Sequence, residues 1–383
     1  MEISQQFLTF NEKNEEIFRA ESSFCDIYFE ALSRILNIKD LNNVRNLRSY
    51  IDLLRPEANA FCEFFKKEEN DVLNLLADSL YYRLTYLYRN SQLLSSAVWH
   101  HFRNTLEDNE VVLQKLMKKS LINICSLGCG PASDIVAIIN VLESEARLKD
   151  ITLDIRVTAV DVDDSWKNTC LAVLHCLERF RYSTWKINFI QTDLSQFHSV
   201  EFLEAIQKAD IVTMVKFSSE FMQKILSFKD TVQEIANVMK PGSLLFFLDR
   251  HNKDVIRSTR SSDQQLQGLQ VIYEELCDLH TLESATVELN YQLYDSHFGF
   301  HVSNTCLKVL ARTWVKSNSS LFKNELFFKT KFMKKKEKYD AFQFFSSDSF
   351  EKWESSFSRK YDQGWMDKRR HRRIYHKFEK HDD

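Results

Sequence analysis

Along the chain the hydrophobic period changes once. Up to residue 118 apolar positions recur at three-and-four spacing, most clearly over 15–37, 58–67 and 70–107, and there is no glycine; this predicts helices only. From Leu121 onward, short β-branched runs alternate with amphipathic segments. The runs at 122–127, 154–160, 186–191, 211–215 and 244–248 predict strands, and 135–148, 166–181, 200–208 and 220–239 predict the helices between them. Such alternation predicts an α/β chain with a doubly wound, mostly parallel sheet covered on both faces. Residues 264–277 read as a helix. Residues 286–294 and 305–315 read as two strands turning near Gly299, which would close the sheet with an antiparallel end pair. Beyond Lys316 the pattern breaks into Lys-, Phe- and Ser-rich sequence. Three parts are expected: an all-helical N-terminal domain, 1–118; a sheet domain, 119–315; and a basic, aromatic-rich C-terminal extension, 316–383.

Composition adds location and partners. The 383 residues are 44% hydrophobic and 27% charged, an ordinary globular balance. The net charge of −3 is unevenly spread: residues 321–383 hold 17 Lys+Arg against 11 Asp+Glu, leaving −9 on the rest. A basic tail on an acidic body points to an anionic partner or a nuclear address. Eight cysteines occur without a C-x-x-C pair or zinc spacing, so buried thiols in a reducing compartment are expected, and no metal. The N-terminus lacks a secretory pattern and no apolar stretch is long enough for a bilayer. The expectation is an intracellular protein, nuclear or cytoplasmic, without a membrane partner; its oligomeric state is left open.

Turn formers concentrate where the chemistry is expected. Five of the nine Gly and Pro residues are Gly128, Gly130, Pro131, Pro241 and Gly242. The first three lie in Ile122-Asn-Ile-Cys-Ser-Leu-Gly-Cys-Gly-Pro-Ala-Ser-Asp134, a strand, a glycine turn and a helix start. Such a turn lets backbone approach a ligand closely and aims helix N–H groups at it. The second strand ends in Asp161, where a carboxylate can accept from two ribose hydroxyls. The third ends in Asp193, which can accept from an adenine amino group while Leu194 packs on the ring. Aspartates at strand-to-helix turns also cap the following helix, which is the bland alternative for both.

In order and spacing these pieces resemble the class I S-adenosylmethionine-dependent methyltransferases. Leu127-Gly-Cys-Gly130 is similar to their first motif, Val160-Asp161 to their ribose acid and Thr192-Asp193-Leu194 to their adenine-side motif. Asp210-Ile-Val-Thr-Met-Val215 resembles their fourth strand, and Lys240-Pro-Gly-Ser-Leu-Leu-Phe246 their turn into the fifth. The resemblance covers about 119–315 and implies S-adenosyl-L-methionine as cofactor, held by Leu127, Gly128, Cys129, Gly130, Asp134, Asp161, Asp193 and Leu194. Ser126 stands where the family often has an acid two residues before the first glycine, and Asp134 is the candidate substitute. A nicotinamide-type Rossmann site is the rival; Ser133 in place of its third glycine counts against it.

The acceptor is less determined. No Pro-Pro occurs, so the amino-methyltransferase Pro-Pro-aromatic motif is absent, and no cysteine lies between Cys176 and Cys277 for a cytosine-C5 mechanism. Only Glu220 follows the fourth strand, so paired arginine-methyltransferase glutamates are not evident, and a ribose 2′-O tetrad would need an Asp where Lys216 stands. The catalytic candidates are Lys216, to orient an anionic acceptor, and Glu220 or His251, to take its proton. Each also has an ordinary surface reading: a snorkelling lysine, a helix-start acid, a loop histidine. The aromatic and basic residues Tyr81, Tyr82, Arg83, Tyr86, Tyr88 and Arg89, then Trp99–Arg103, either cap the site or form helix-packing core. Lys334-Lys-Lys336 and Lys368-Arg-Arg-His-Arg-Arg373, among aromatics, suit RNA or an import receptor. The expected activity is methyl transfer to RNA; the alternatives are a non-catalytic cofactor-binding regulator or scaffold and a small-molecule methyltransferase.

Overall fold

A computed structural model describes residues 2–36, 47, 80–177, 181–194, 199–216, 228–250, 268–298 and 306–317. The chain divides into two compact units, Met1–Phe327 and Phe328–Asp383; the expected division at residue 118 falls inside the first.

The helical segments before the sheet are α1 (Glu2–Leu36), α2 (Leu80–Tyr86), α3 (Gln92–Glu107) and α4 (Glu110–Met117), with a π turn, Leu87–Ser91, between α2 and α3. The alternating region then runs β1 (Leu121–Leu127), α5 (Ser133–Leu148), β2 (Leu153–Asp161), α6 (Trp166–Leu174), β3 (Ser183–Gln191), α7 (Val200–Lys208), β4 (Ile211–Val215), α8 (Phe228–Val238) and β5 (Leu244–Arg250). After it come β6 (Leu269–Thr281), α9 (Ser284–Phe298) and β7 (Cys306–Lys316).

The seven strands lie in the order β3-β2-β1-β4-β5-β7-β6. Pairs among β1 to β5 are parallel, and β7 runs antiparallel to both β5 and β6. Alternation along each strand sends successive side chains to opposite faces. On β5, Leu244, Phe246 and Leu248 join the core that contains Phe24 and Tyr28 of α1, Phe102 of α3 and Ile135 and Ile138 of α5. Leu245 and Phe247 join the opposite core, with Phe202 and Ile206 of α7 and Val232 and Ile235 of α8. Phe102 meets Phe246 edge-on at 5.6 Å. The helices before the sheet therefore cover one of its faces.

Two expectations need correction. The sequence predicts 264–277 as helix and 286–294 as strand; the structure reverses them, placing β6 over 269–281 and α9 over 284–298. Period 2 is disguised in β6 by register shifts between Val271 and Tyr273 and between Cys277 and His280. The β-branched and aromatic content of α9 imitates a strand. Its helical face is Thr286, Asn290 and Tyr294, four apart and all buried, with two polar members that hide its amphipathicity. The antiparallel end of the sheet is present, with a helix between its two strands. The predicted helix 166–181 is also shorter: α6 ends at Leu174 and a 3-10 turn, His175–Leu177, follows.

Candidate functional site

Three parallel strands bring the predicted loops together. β1 lies between β2 and β4; the chain leaves β1 through α5 on one face to reach β2 and enters β4 from β3 through α7 on the other face, and this reversal opens a crevice at the carboxyl ends of the strands. At that end of β1, Gly128 and Gly130 have φ of 69° and 45°, left-handed values that glycine adopts without cost. Ala132 also has a positive φ, 67°, and nothing in the sequence marks it. The N–H groups of Gly128 and Cys129 both donate to the Val160 carbonyl, at 2.9 and 3.0 Å, pinning the loop to β2.

Asp161 completes the tie. Its Oδ2 accepts from the Gly130 N–H at 2.9 Å and its Oδ1 from the Asp163 N–H at 3.1 Å. Burial raises its pKa, against the lowering effect of those N–H groups. A carboxylate offers about four lone-pair sites. The Gly130 and Asp163 N–H groups take two of them, and the Val162 N–H and the Cys129 thiol, 4.0 Å from Oδ2, also approach, so a ribose hydroxyl would share the carboxylate with these donors. A Cβ built on Gly130 would meet no atom within 4 Å, so the loop face beside Asp161 is open. An acceptor pair next to an open glycine fits the ribose end of an adenosyl group.

Asp134 answers the missing acid before the first glycine. Its Oδ2 accepts from the Ser126 hydroxyl at 2.7 Å and from the Thr213 hydroxyl, so it joins β1, β4 and the start of α5. Burial raises its pKa too. Ser126 therefore stands at the acid's usual place and reaches an acid supplied from the helix. Asp134 is fully enclosed by these partners and supports the loop from below. Leu127 is core, and Cys129 is buried with its Sγ 4.0 Å from Asp161 Oδ2. Burial and hydrogen bonding with Cys170 push the Cys129 thiol well up. Asp193 follows β3 beside Thr192, whose N–H donates to the Asp161 carbonyl at 2.9 Å. Leu194 is buried in the core with Phe202 and Ile206. The exposed apolar side chain on this rim is Val162, directly after Asp161 and missed by the motif reading.

Lys216 directly follows β4, with φ 54° and its N–H on the Leu248 carbonyl at 2.8 Å. Its ammonium lies 5.0 Å from the Tyr86 ring centre. Glu220 and His251 lie outside the described residues, as do Tyr81's side chain and the basic extension. The aromatic stretch divides. Tyr88, Trp99, His101 and Phe102 are buried, as the helix-packing reading expects, whereas Tyr82, Arg83 and Tyr86 are half-buried near Trp166 and Lys216.

The deciding feature is the strand order with β7 inserted antiparallel between β5 and β6, together with a glycine loop after β1 and a carboxylate at the end of β2. The fold is that of the class I S-adenosylmethionine-dependent methyltransferases. No protein-family model matches the chain and no curated protein does. Among solved structures it is similar to a candidate class I S-adenosylmethionine-dependent methyltransferase of Listeria monocytogenes, at 14% identity over 79% of this chain and 90% of that one, TM-score 0.36. It is similar to a point mutant of the 16S rRNA (adenine(1408)-N(1))-methyltransferase of Catenulisporales acidiphilia, at 15% identity, 54% and 91% coverage and TM-score 0.32. Precorrin-6y C5,15-methyltransferase of Geobacter metallireducens matches at 11% identity, 54% and 87% coverage and TM-score 0.31. These values carry no assignment of substrate. Within this class I methyltransferase fold, the cofactor-side residues expected from the sequence lie at or just beyond the carboxyl ends of β1, β2 and β3. No helix among the described residues is long and apolar enough to cross a membrane, and no group of metal-binding side chains is found among them.

Proposed function

We propose that this chain is an S-adenosylmethionine-dependent methyltransferase acting on RNA. The observation that carries the cofactor is Asp161: buried at the end of β2 and tied to the N–H of an open, left-handed Gly130. When bound, the cofactor supplies a methyl group activated on sulfonium sulfur. The protein's part is alignment: Asp161 for the ribose hydroxyls, the Gly128–Gly130 loop for the approach of backbone, Asp193 for the adenine amino group and Asp134 for the loop's rigidity. Lys216 orients the acceptor, and Glu220 or His251 takes its proton. RNA is favoured by the basic clusters at 334–336 and 368–373 among aromatic residues.

Calorimetry with S-adenosylmethionine and S-adenosylhomocysteine tests the cofactor. Asp161→Ala removes a set of hydroxyl acceptors and should weaken binding by about 1.5–3 kcal/mol. No binding by the wild type, or unchanged affinity in the variant, removes the reading. Transfer of labelled methyl to total RNA, total protein and a small-metabolite extract then tests the acceptor, with RNA expected to carry the label. One observation favours a second reading, a cofactor-binding regulator without transfer: the Lys216 ammonium is nearly buried against Tyr86, beside the acceptor's entrance. Cofactor binding with no labelled product in any extract would select it.

A further inference from the structure

We propose that Tyr86, Trp166 and Lys216, with Tyr82 and Arg83, form the acceptor side of the cleft, and that this side takes a nucleotide unit. The base lies on the aromatic face and the phosphate meets the two cations. The proposal rests on the methyltransferase reading and names the acceptor chemistry at that same site.

Strand order supplies the geometry. Trp166 is the first residue of α6, just after β2, and Lys216 directly follows β4. The Tyr86 ring lies 5.6 Å from the Trp166 ring and 5.0 Å from Lys216 Nζ. Since β1 runs between β2 and β4, a side chain touching both flanks spans the carboxyl end of β1, where the glycine loop stands. Tyr82, one turn earlier on α2, lies 6.4 Å from both Tyr86 and Trp166, so three rings share this roof. Arg83 Nη1 donates to Ser165 Oγ at 2.7 Å, placing a second cation at the same rim. Two backbone irregularities coincide with the roof. The π turn begins directly after Tyr86, and Lys216 holds a left-handed φ. Both kinds of irregularity concentrate at functional sites.

Charge then selects the ligand. A bound cofactor brings a sulfonium into a cleft that already holds Lys216 and Arg83. Carboxylates stand at the same rim, Asp163 accepting from the Ser165 hydroxyl that Arg83 also reaches, so the cleft is mixed in charge; on its Tyr86 side the ammonium and guanidinium suit an anionic group better than a cationic amine. A flat π-face suits the rings, and a phosphate beside it suits the guanidinium and ammonium. A nucleotide unit has both parts. It can arrive as a free mononucleotide or within a single strand of RNA.

The test titrates full-length protein, with and without saturating S-adenosylhomocysteine, with uridine 5′-monophosphate, uridine, a short single-stranded RNA and an abasic strand of equal length. The monophosphate or the RNA should bind more tightly than uridine or the abasic strand. Tyr86→Ala should weaken that binding roughly 5- to 100-fold while Tyr86→Phe stays within about 2-fold, the loss expected for one base–aromatic stack. Lys216→Gln should weaken the monophosphate and leave uridine unchanged. Dependence on Tyr86 seen only with the strand identifies RNA as the source; dependence already present in the monophosphate identifies a free nucleotide. Equal affinity for the intact and abasic strands together with no binding of the monophosphate, indifference to Tyr86→Ala, or a parallel loss of S-adenosylhomocysteine in that variant overturns the proposal. A wild type that binds no S-adenosylhomocysteine sinks the cofactor reading instead, and the titrations without it still decide the nucleotide pocket.

Discussion

The glycine loop and the junction of α3 with β6 both bury ionisable groups, and they treat them in opposite ways. At the loop, Asp134 and Asp161 are anchored by hydroxyls and backbone N–H groups, and one side stays open. At the junction the buried ionisable groups are His101, His280, Tyr273 and Glu21, with Glu275 at the rim. His101 Nδ1 lies 2.9 Å from Tyr273 Oη, which donates to Glu275 Oε2 at 2.5 Å. Ser96 Oγ donates to Glu21 Oε1 at 2.6 Å and lies 3.0 Å from His280 Nε2. Each hydroxyl's proton goes to a carboxylate, so each imidazole nitrogen must be the donor to it. The three rings of His100, His101 and His280 stand within 5.2–6.3 Å of one another. A carboxylate held by N–H groups can serve a ligand as it stands. His280, enclosed beside His100 and His101, is held neutral by burial, which suits a structural joint and makes it sensitive to acid.

The largest effect expected from breaking this comparison is on the loop side. Asp134→Ala leaves the Ser126 and Thr213 hydroxyls buried without their acceptor. It should cost about 2–6 kcal/mol of stability in urea unfolding, at about 1–3 kcal/mol for each unsatisfied group. A loss below about 1 kcal/mol would mean that the two hydroxyls find other partners and that Asp134 does not brace the loop.

The junction should show its difference in acid. Burial, with His101 and His100 beside it, pushes the His280 pKa down from 6.5 to about 3. The unfolded chain therefore takes up this proton first as pH falls. Stability is full above 6.5 and declines by about 1.4 kcal/mol per pH unit between 6.5 and about 3. The hydrogen bond from His101, then that from Tyr273, holds Glu275 at about 2 rather than 4.5. Its contribution is present above 4.5 and is lost as pH falls through 2, in the same direction. Denaturant midpoints from about pH 7.5 to about 4.5 contain the histidine limb together with the opposing limb of the buried Asp134 and Asp161, whose pKa values are raised, so the histidine part is read as the difference between wild type and variant. His280→Gln should remove the histidine limb, and an unchanged slope would assign the proton uptake elsewhere.

The same contrast shows what the sequence displays. Gly128, Gly130 and Asp161 are legible because a left-handed turn demands a rare residue type and a strand end exposes a carboxylate at a fixed place. The alternating period likewise reveals β1 to β5. Ala132 is not legible, since its left-handed φ is imposed by the fold on an ordinary residue. Nor is the Asp134–Thr213 contact, which joins residues 79 apart. The end of the sheet misleads because the two register shifts in β6 break the period of 2 and a polar buried face masks α9. Tyr86 stands in a stretch whose roof and core readings the sequence does not separate, because helical spacing does not say which neighbour a face meets. The structure sends Tyr88 and Phe102 to the core and Tyr86 to Lys216.

Lys216 gives the smallest and sharpest comparison, because backbone strain and charge meet there in one residue. A left-handed φ costs a non-glycine residue roughly 1–2 kcal/mol. Lys216→Gly relieves that strain, but it forfeits the contact with Tyr86, about 0.5–1 kcal/mol, and frees the unfolded chain by a similar amount. The net change should fall within about 1 kcal/mol of the wild type, near the balance of these terms. Lys216→Gln keeps the strained φ and loses the cation, so it should be the less stable of the two. Thermal unfolding of both variants measures the order. If Lys216→Gln equals or exceeds Lys216→Gly, the strain stored at the φ of 54° is no larger than the freedom glycine adds to the unfolded chain. If the glycine variant is the more stable, the fold holds a strained lysine at the mouth of the cleft although a glycine would suit its backbone better. The strain then accompanies a charge that glycine would lack, which is the property our proposed acceptor pocket uses.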